Sequence, residues 1–171
     1  MSKYELIDIV DDNDNIIKTI ERTPEWNKSR PDTFRVVNVF VWTTDGKVVV
    51  QQRSRRKSAG PLQFDTSVGG LVTSGLSYKE AAIKEMKEEL GLEGELKFVS
   101  SFKDIISDTG RVFSHNHLFE IISDGPYRNW EDEAERLEFM TLDEAKELSK
   151  RYPYLFTPGF VSALDAYLAV Q

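Results

Sequence analysis

Residues 70–92 read Gly70-Leu71-Val72-Thr73-Ser74-Gly75-Leu76-Ser77-Tyr78-Lys79-Glu80-Ala81-Ala82-Ile83-Lys84-Glu85-Met86-Lys87-Glu88-Glu89-Leu90-Gly91-Leu92. Ser77 with Glu80 makes a capping box, in which the hydroxyl and the carboxylate each satisfy a free backbone amide, and Gly91 enters the left-handed region without strain. The pattern predicts a helix over Tyr78 to Leu90, entered from a Gly-containing loop. Within it Glu85, Glu88 and Glu89 lie at i, i+3 and i+4, which at about 100° per residue puts them on one face. Ala82, Ile83, Met86 and Leu90 fill the adjoining apolar arc, and Glu80, Lys84 and Lys87 fall on the remaining side, so the three carboxylates border the core. Like charges at these spacings repel by a few tenths of a kcal/mol per pair, and more where one side is dry. Lys84 reaches Glu88 at i+4, but a divalent cation offsets the repulsion more fully, and magnesium takes oxygen ligands of this type. The same residues also read as an ordinary solvated Glu/Lys helix.

Outward from this helix, strands outnumber helices. Glu5 to Val10 and Ile16 to Glu21 read as two short strands joined by Asp11-Asp12-Asn13-Asp14-Asn15, which lacks the alternation, central Gly and closing Glu of a calcium loop and reads as a hairpin turn. Pro24 to Pro31 reads as a polar connector. Phe34 to Thr43 and Lys47 to Arg53 form a longer hairpin around Thr44-Asp45-Gly46, expected at the centre of a sheet. Ser54 to Phe64 is a loop, and Asp65 to Val72 regains strand character. Strands follow at Glu95 to Ile106, Arg111 to Ile122 and Arg136 to Met140. A second capping box at Thr141-Leu142-Asp143-Glu144 opens a helix to Lys150, and Thr157-Pro158 caps a last one through Leu168. Without regular β-α-β alternation, α+β or a mixed sheet is the expected fold class.

The chain has 171 residues, a net charge of −7 and no cysteine. One domain spanning 1–171 fits that length, with 40% hydrophobic residues to fill a core. The missing thiol excludes disulfide frameworks, thiolate-bound metals and cysteine nucleophiles, leaving carboxylates and two histidines as metal ligands. Excess acid argues against nucleic acid as partner, with Arg53-Ser54-Arg55-Arg56-Lys57 as a local exception. No apolar run approaches a membrane span and the start lacks a signal-peptide pattern, so the expectation is a cytoplasmic protein without a membrane partner.

The stretch 70–92 resembles the Nudix box, G-x5-E-x7-R-E-U-x-E-E-x-G-U with U aliphatic. Seven of its nine specified positions match, at Gly70, Glu85, Met86, Glu88, Glu89, Gly91 and Leu92; Leu76 stands where the pattern has Glu and Lys84 where it has Arg. The resemblance extends through Gln51-Gln52-Arg53-Ser54, Asp65 to Gly70, Asp124-Gly125-Pro126 and Phe139 to Glu144. The opening strands, within 1–30, look like the extension of a branch similar to isopentenyl diphosphate isomerase. The resemblance implies an α/β/α sandwich around a mixed sheet, preceded by a β-hairpin. It also implies hydrolysis of a nucleoside diphosphate linked to another moiety, with Mg²⁺ or Mn²⁺ on Glu85, Glu88, Glu89 and the Gly70 carbonyl. One of the glutamates would help to deprotonate water. Leu76 and Lys84 occupy supporting positions in the box, and Lys keeps the charge of Arg without its planar fork.

Around the box, Arg53 reads either as a phosphate contact or as a plain surface arginine. Phe64 and Phe34 have the shape to stack on a base or an isoprenoid, though core packing is the commoner role. His115 and His117, two apart on a strand, share a face without a defined third ligand. Glu120, Glu133 and Glu135 are candidates for an extra ligand or base. The expected function is a metal-dependent pyrophosphohydrolase acting on a small-molecule diphosphate, with a homodimer as the assembly common in the family. The alternatives are a catalytically silent diphosphate-binding module and an isopentenyl diphosphate isomerase. The latter chemistry uses a Cys, and Thr66 and Ser67 stand before the Val-Gly-Gly run instead.

Overall fold

A computed structural model describes residues 2–128 and 132–171. It begins with an antiparallel hairpin, β1 (Leu6–Val10) and β2 (Ile16–Glu21). The Asp11 carboxylate closes the turn by accepting from the amides of Asn13 and Asn15 at 2.8 and 2.9 Å, which is why an acidic cluster serves as a plain turn. The segment read as a polar connector contains a short helix, α1 (Pro24–Ser29). Thr23 caps it, Pro24 occupies its first turn, and Trp26 is its buried anchor, with Nε1 donating to Asp32 at 2.9 Å.

The sheet is organised around β3 (Phe34–Trp42). It touches β1 at its start, β4 (Lys47–Arg53) at its end, and β6 (Val68–Leu71) between them. The other edge of β3 lies parallel to β8 (Val112–Ile122) over its full length, Phe34 opposite Ser114 and Trp42 opposite Ile122. The short β5 (Phe64–Asp65) and β9 (Ala134–Thr141) flank β4 antiparallel, and β7 (Lys97–Ile105) pairs outside β8. The parallel pairing of β3 with β8 among antiparallel ones makes the sheet mixed, as expected.

Alternation along β3 sends its side chains to two separate cores. Val37, Val39 and Val41 pack with Val49, Val68 and the buried Ala82, Met86 and Leu90 of α2 (Tyr78–Leu90). Phe40 packs on the opposite face with Val48, Val50 and Leu118 against Phe160, Ala163 and Leu164 of α4 (Pro158–Leu168) and Ala145 of α3 (Leu142–Arg151). Helices on both faces complete an α+β sandwich. A third cluster, Ile7, Ile9, Trp26, Phe34 and Leu71, seals the hairpin to the sheet. One detail of α2 departs from its helical pattern: Ile83 is exposed and Ala81 buried, because the helix turns its small residues rather than its branched one onto the sheet.

Candidate active site

The capping box at Ser77 and Glu80 is formed in both directions, and Gly91 ends α2 at φ 68°. Those signals fix where α2 starts and stops, and its buried face, with Met86 and Leu90 inward, sets its rotation and therefore the placement of its acidic face. Glu85, mostly covered, lies against Gly70 of β6: a Cβ added at Gly70 would stand 2.6 Å from Glu85 Cδ. Any side chain at position 70 displaces Glu85. Glu88, one turn on, is the most exposed of the three. Glu89 accepts from Gln51 Nε2 of β4 at 2.7 Å, and the same amide donates to the Ser67 carbonyl at 2.5 Å.

Lys84 is the cation among these acids. Its Nζ lies 3.0 Å from Glu88, 3.3 Å from Glu85 and 3.7 Å from Glu5 of the segment leading into β1. Burial pushes the Glu85 carboxyl up, opposed by Lys84. Burial pushes Glu89 up further, to about 8, opposed by the Gln51 hydrogen bond and reinforced by the charges of Glu85 and Glu133. The face is short of positive charge.

That donor set, carboxylate oxygens with the backbone of a glycine beside them, fits a hard divalent cation. Among the described residues no three acidic or histidine side chains already converge on one point. Glu85 and Glu88 share Lys84 while Glu89 is held by Gln51.

The remaining candidates from the sequence separate. Arg53 donates to Asp65 Oδ2 at 2.9 Å and to the Ala59 carbonyl at 3.0 Å, bracing the loop after β4. Phe64 packs on Phe156 with ring centroids 5.5 Å apart, in the core beneath α4, and Phe34 is wholly buried under the hairpin. Leu76 packs half-buried against the core beside α2. His115 contacts the Asp11 carbonyl at 2.9 Å, whereas His117 stacks on Tyr78 at 3.7 Å. Of the late acids, Glu120 pairs with Lys97 and Glu135 with Arg55, while Glu133, paired with Lys57, adds its charge to the field at Glu89. Ser67 is fully buried, its hydroxyl accepting from the Val41 amide and donating to the Val49 carbonyl. A cavity of about 900 Å³ between Trp42, Gly94 and Tyr167 has none of the three glutamates in its lining.

Gln51 and Glu5 escaped the sequence reading as site residues. Gln51 carried a weak signal, a polar residue near the end of an otherwise apolar strand; Glu5 carried none.

The sequence matches the NUDIX domain over residues 32–157. A Nudix hydrolase of Nostoc is 40% identical over 93 residues, 54% of this chain and 54% of the relative, so the alignment spans little more than half that protein's length. A Nudix hydrolase of Yersinia pestis is 30% identical over 96% of this chain and 86% of its own. The crystal structure of DR0079 from Deinococcus radiodurans superposes with a TM-score of 0.77 at 26% identity, covering 98% of this chain and all of that one. With the box helix capped at both ends, its glutamates on one face beside Gly70, and the domain match running through both central strands, the chain belongs to the Nudix family.

Proposed function

We propose that the protein is a Mg²⁺- or Mn²⁺-dependent pyrophosphohydrolase that cleaves the phosphoanhydride of a nucleoside diphosphate derivative by attack of water. The observation that carries this reading is the undercompensated acidic face of α2: Glu85 and Glu89 are pushed up by burial, Glu85 and Glu88 share one lysine, Glu89 has only the neutral amide of Gln51, and Glu85 lies against a glycine whose lack of a side chain lets it approach. Such a face is costly in the absence of a cation.

Gly70 by its carbonyl, and Glu85, Glu88 and Glu89 by their carboxylates, would hold the ion. A bound divalent ion neutralises diphosphate oxygens and lowers the pKa of an attacking water. The chain's own part is positioning. Gln51 fixes the Glu89 carboxylate by a hydrogen bond anchored on Ser67, and Glu133, paired with Lys57, adds its negative charge to the field there. Arg53, at the end of β4, is the proposed contact for the phosphate, whereas Phe64 packs with the cluster on the sheet face opposite α2. The substrate is a small diphosphate rather than nucleic acid or membrane. No helix among the described residues is long and apolar enough to cross a bilayer, and the net charge of −7 disfavours polyanions. We place the protein in the cytoplasm, as one domain and as a homodimer.

Incubation with Mg²⁺ or Mn²⁺ and a panel of nucleoside di- and triphosphates, nucleotide sugars and isopentenyl diphosphate, with products identified by mass, tests the reading. Hydrolysis at the anhydride that Glu88→Gln abolishes and Glu93→Gln retains is the expected result.

A second reading, a silent diphosphate-binding module, has an observation of its own: Lys84 already occupies Glu85 and Glu88. It predicts a metal-dependent rise in melting temperature with one of these compounds and no turnover. Isomerisation is disfavoured, since the chain has no cysteine and the Ser67 hydroxyl is committed to two backbone groups.

A further inference from the structure

The loop that carries Leu76 is held by the N-terminal hairpin, which precedes the matched domain. The Ser74 amide donates to the Leu6 carbonyl at 2.8 Å, Ser74 Oγ donates to Asp8 at 2.7 Å, and Ile7 bridges to Thr73. Next to these contacts the Glu5 carboxylate is fixed at both oxygens: Thr73 Oγ1 donates to Oε1 at 2.5 Å and Arg22 Nη1 to Oε2 at 3.2 Å. It thus stands oriented 3.7 Å from Lys84 Nζ, held by a loop whose Leu76 is an apolar residue packed on the core.

Lys84 and a divalent cation compete for the same oxygens of Glu85 and Glu88. An ammonium displaced from them needs another acceptor nearby, and a carboxylate already held by two donors provides one with little reordering. We propose that Glu5 is a positioning residue for the acidic helix, taking up Lys84 when a cation claims Glu85 and Glu88. The inference rests on the reading of those glutamates as ion ligands and adds the hairpin to the machinery of the site.

Mn²⁺ binding to the full chain, followed by the electron paramagnetic resonance of free Mn²⁺, tests it in wild type, Glu5→Gln, Lys84→Met and the double variant, with melting temperatures alongside. Gln keeps an acceptor for Thr73 while losing the charge. Glu5→Gln is expected to weaken Mn²⁺ binding about five-fold, the scale of one partly exposed ion pair. The double variant is expected to bind as Lys84→Met does, because without the lysine there is nothing for Glu5 to receive. An affinity unchanged in Glu5→Gln, or reduced equally with and without Lys84, overturns the proposal. Should Glu5→Gln fail to fold, Glu5→Asp keeps the charge but draws it away from Lys84, and the same Lys84-dependent weakening is required of it. Wild-type protein that binds no Mn²⁺ sinks this proposal and the ion-ligand reading together. Wild-type protein that binds Mn²⁺ and hydrolyses substrate, with Glu5→Gln indistinguishable from it, sinks this proposal alone.

Discussion

Gln51 joins Glu89 to Ser67: one side-chain amide donates to the Glu89 carboxylate at 2.7 Å and to the Ser67 carbonyl at 2.5 Å. The bond ties α2 to β4 and to the residue that leads into β6. Gln51→Leu leaves a buried carbonyl and a largely covered carboxylate without their donor, so a loss of about 1–3 kcal/mol is expected. The urea midpoint measures it, and a variant within 0.3 kcal/mol (about half of RT) of wild type would remove Gln51 from this role.

The pH dependence of stability isolates His117. Burial, with the nearby charges of Arg35 and His115 adding and that of Asp14 opposing, holds its imidazole below the ordinary value of 6.5. The unfolded chain therefore binds the extra proton first. The contribution of neutral His117 is complete above pH 6.5 and is lost as pH falls through that value towards the lowered folded one. His117→Phe keeps a ring against Tyr78 without the titration. Its melting temperature relative to wild type is expected to rise between pH 8 and pH 5, whereas a flat difference contradicts the lowered value.

Met86 and Ile83 make a paired test of how α2 is rotated. Met86 is wholly buried and Ile83 is 39% exposed. Met86→Ala is expected to cost about 2–5 kcal/mol and Ile83→Ala less than about 1. Chemical denaturation ranks the two, and the reverse order would place the other face on the sheet.

The cap of α1 gives a smaller effect. Thr23 accepts from the Trp26 amide at 3.2 Å, and Trp26 anchors the hairpin cluster. Thr23→Ala is expected to lower stability by about 1 kcal/mol. Hydrogen exchange at residues 24–29 should quicken more than in α2, and uniform quickening would count against a local cap.

The features that the chain announces locally are those that sequence reading recovers. Both ends of α2 are written within four residues of themselves, as Ser77 with Glu80 and as Gly91, and the i, i+3, i+4 spacing then puts three glutamates on one face. The same signature, Thr before Pro, opens α4 and also α1, yet the second helix passes as a connector. Six residues are too few for an apolar period, and Trp26 is its one buried residue. Ile83 is misplaced for a related reason: hydrophobicity assigns it to the core, while close approach to the sheet favours alanine. Partners of the site come from far along the chain. Gln51 is 38 residues from Glu89, and Glu5 reaches the box across the whole hairpin. No window of sequence contains both halves of such a contact. His115 and His117 show the opposite limit, since a shared strand and spacing left open that one would meet a carbonyl and the other a tyrosine ring.

The full-length parallel pairing of β3 with β8 has a consequence for how the protein comes into being. During translation at about 5–20 residues per second, Ile122 is added roughly 4–16 s after its partner Trp42. For that interval the valine-rich central strand has a free edge, which is the side most open to pairing with another nascent chain. Yield on expression should therefore respond to elongation rate and to chaperones that shield strands, and the hairpin, complete by residue 21, is the part of the sheet that can form before the wait begins.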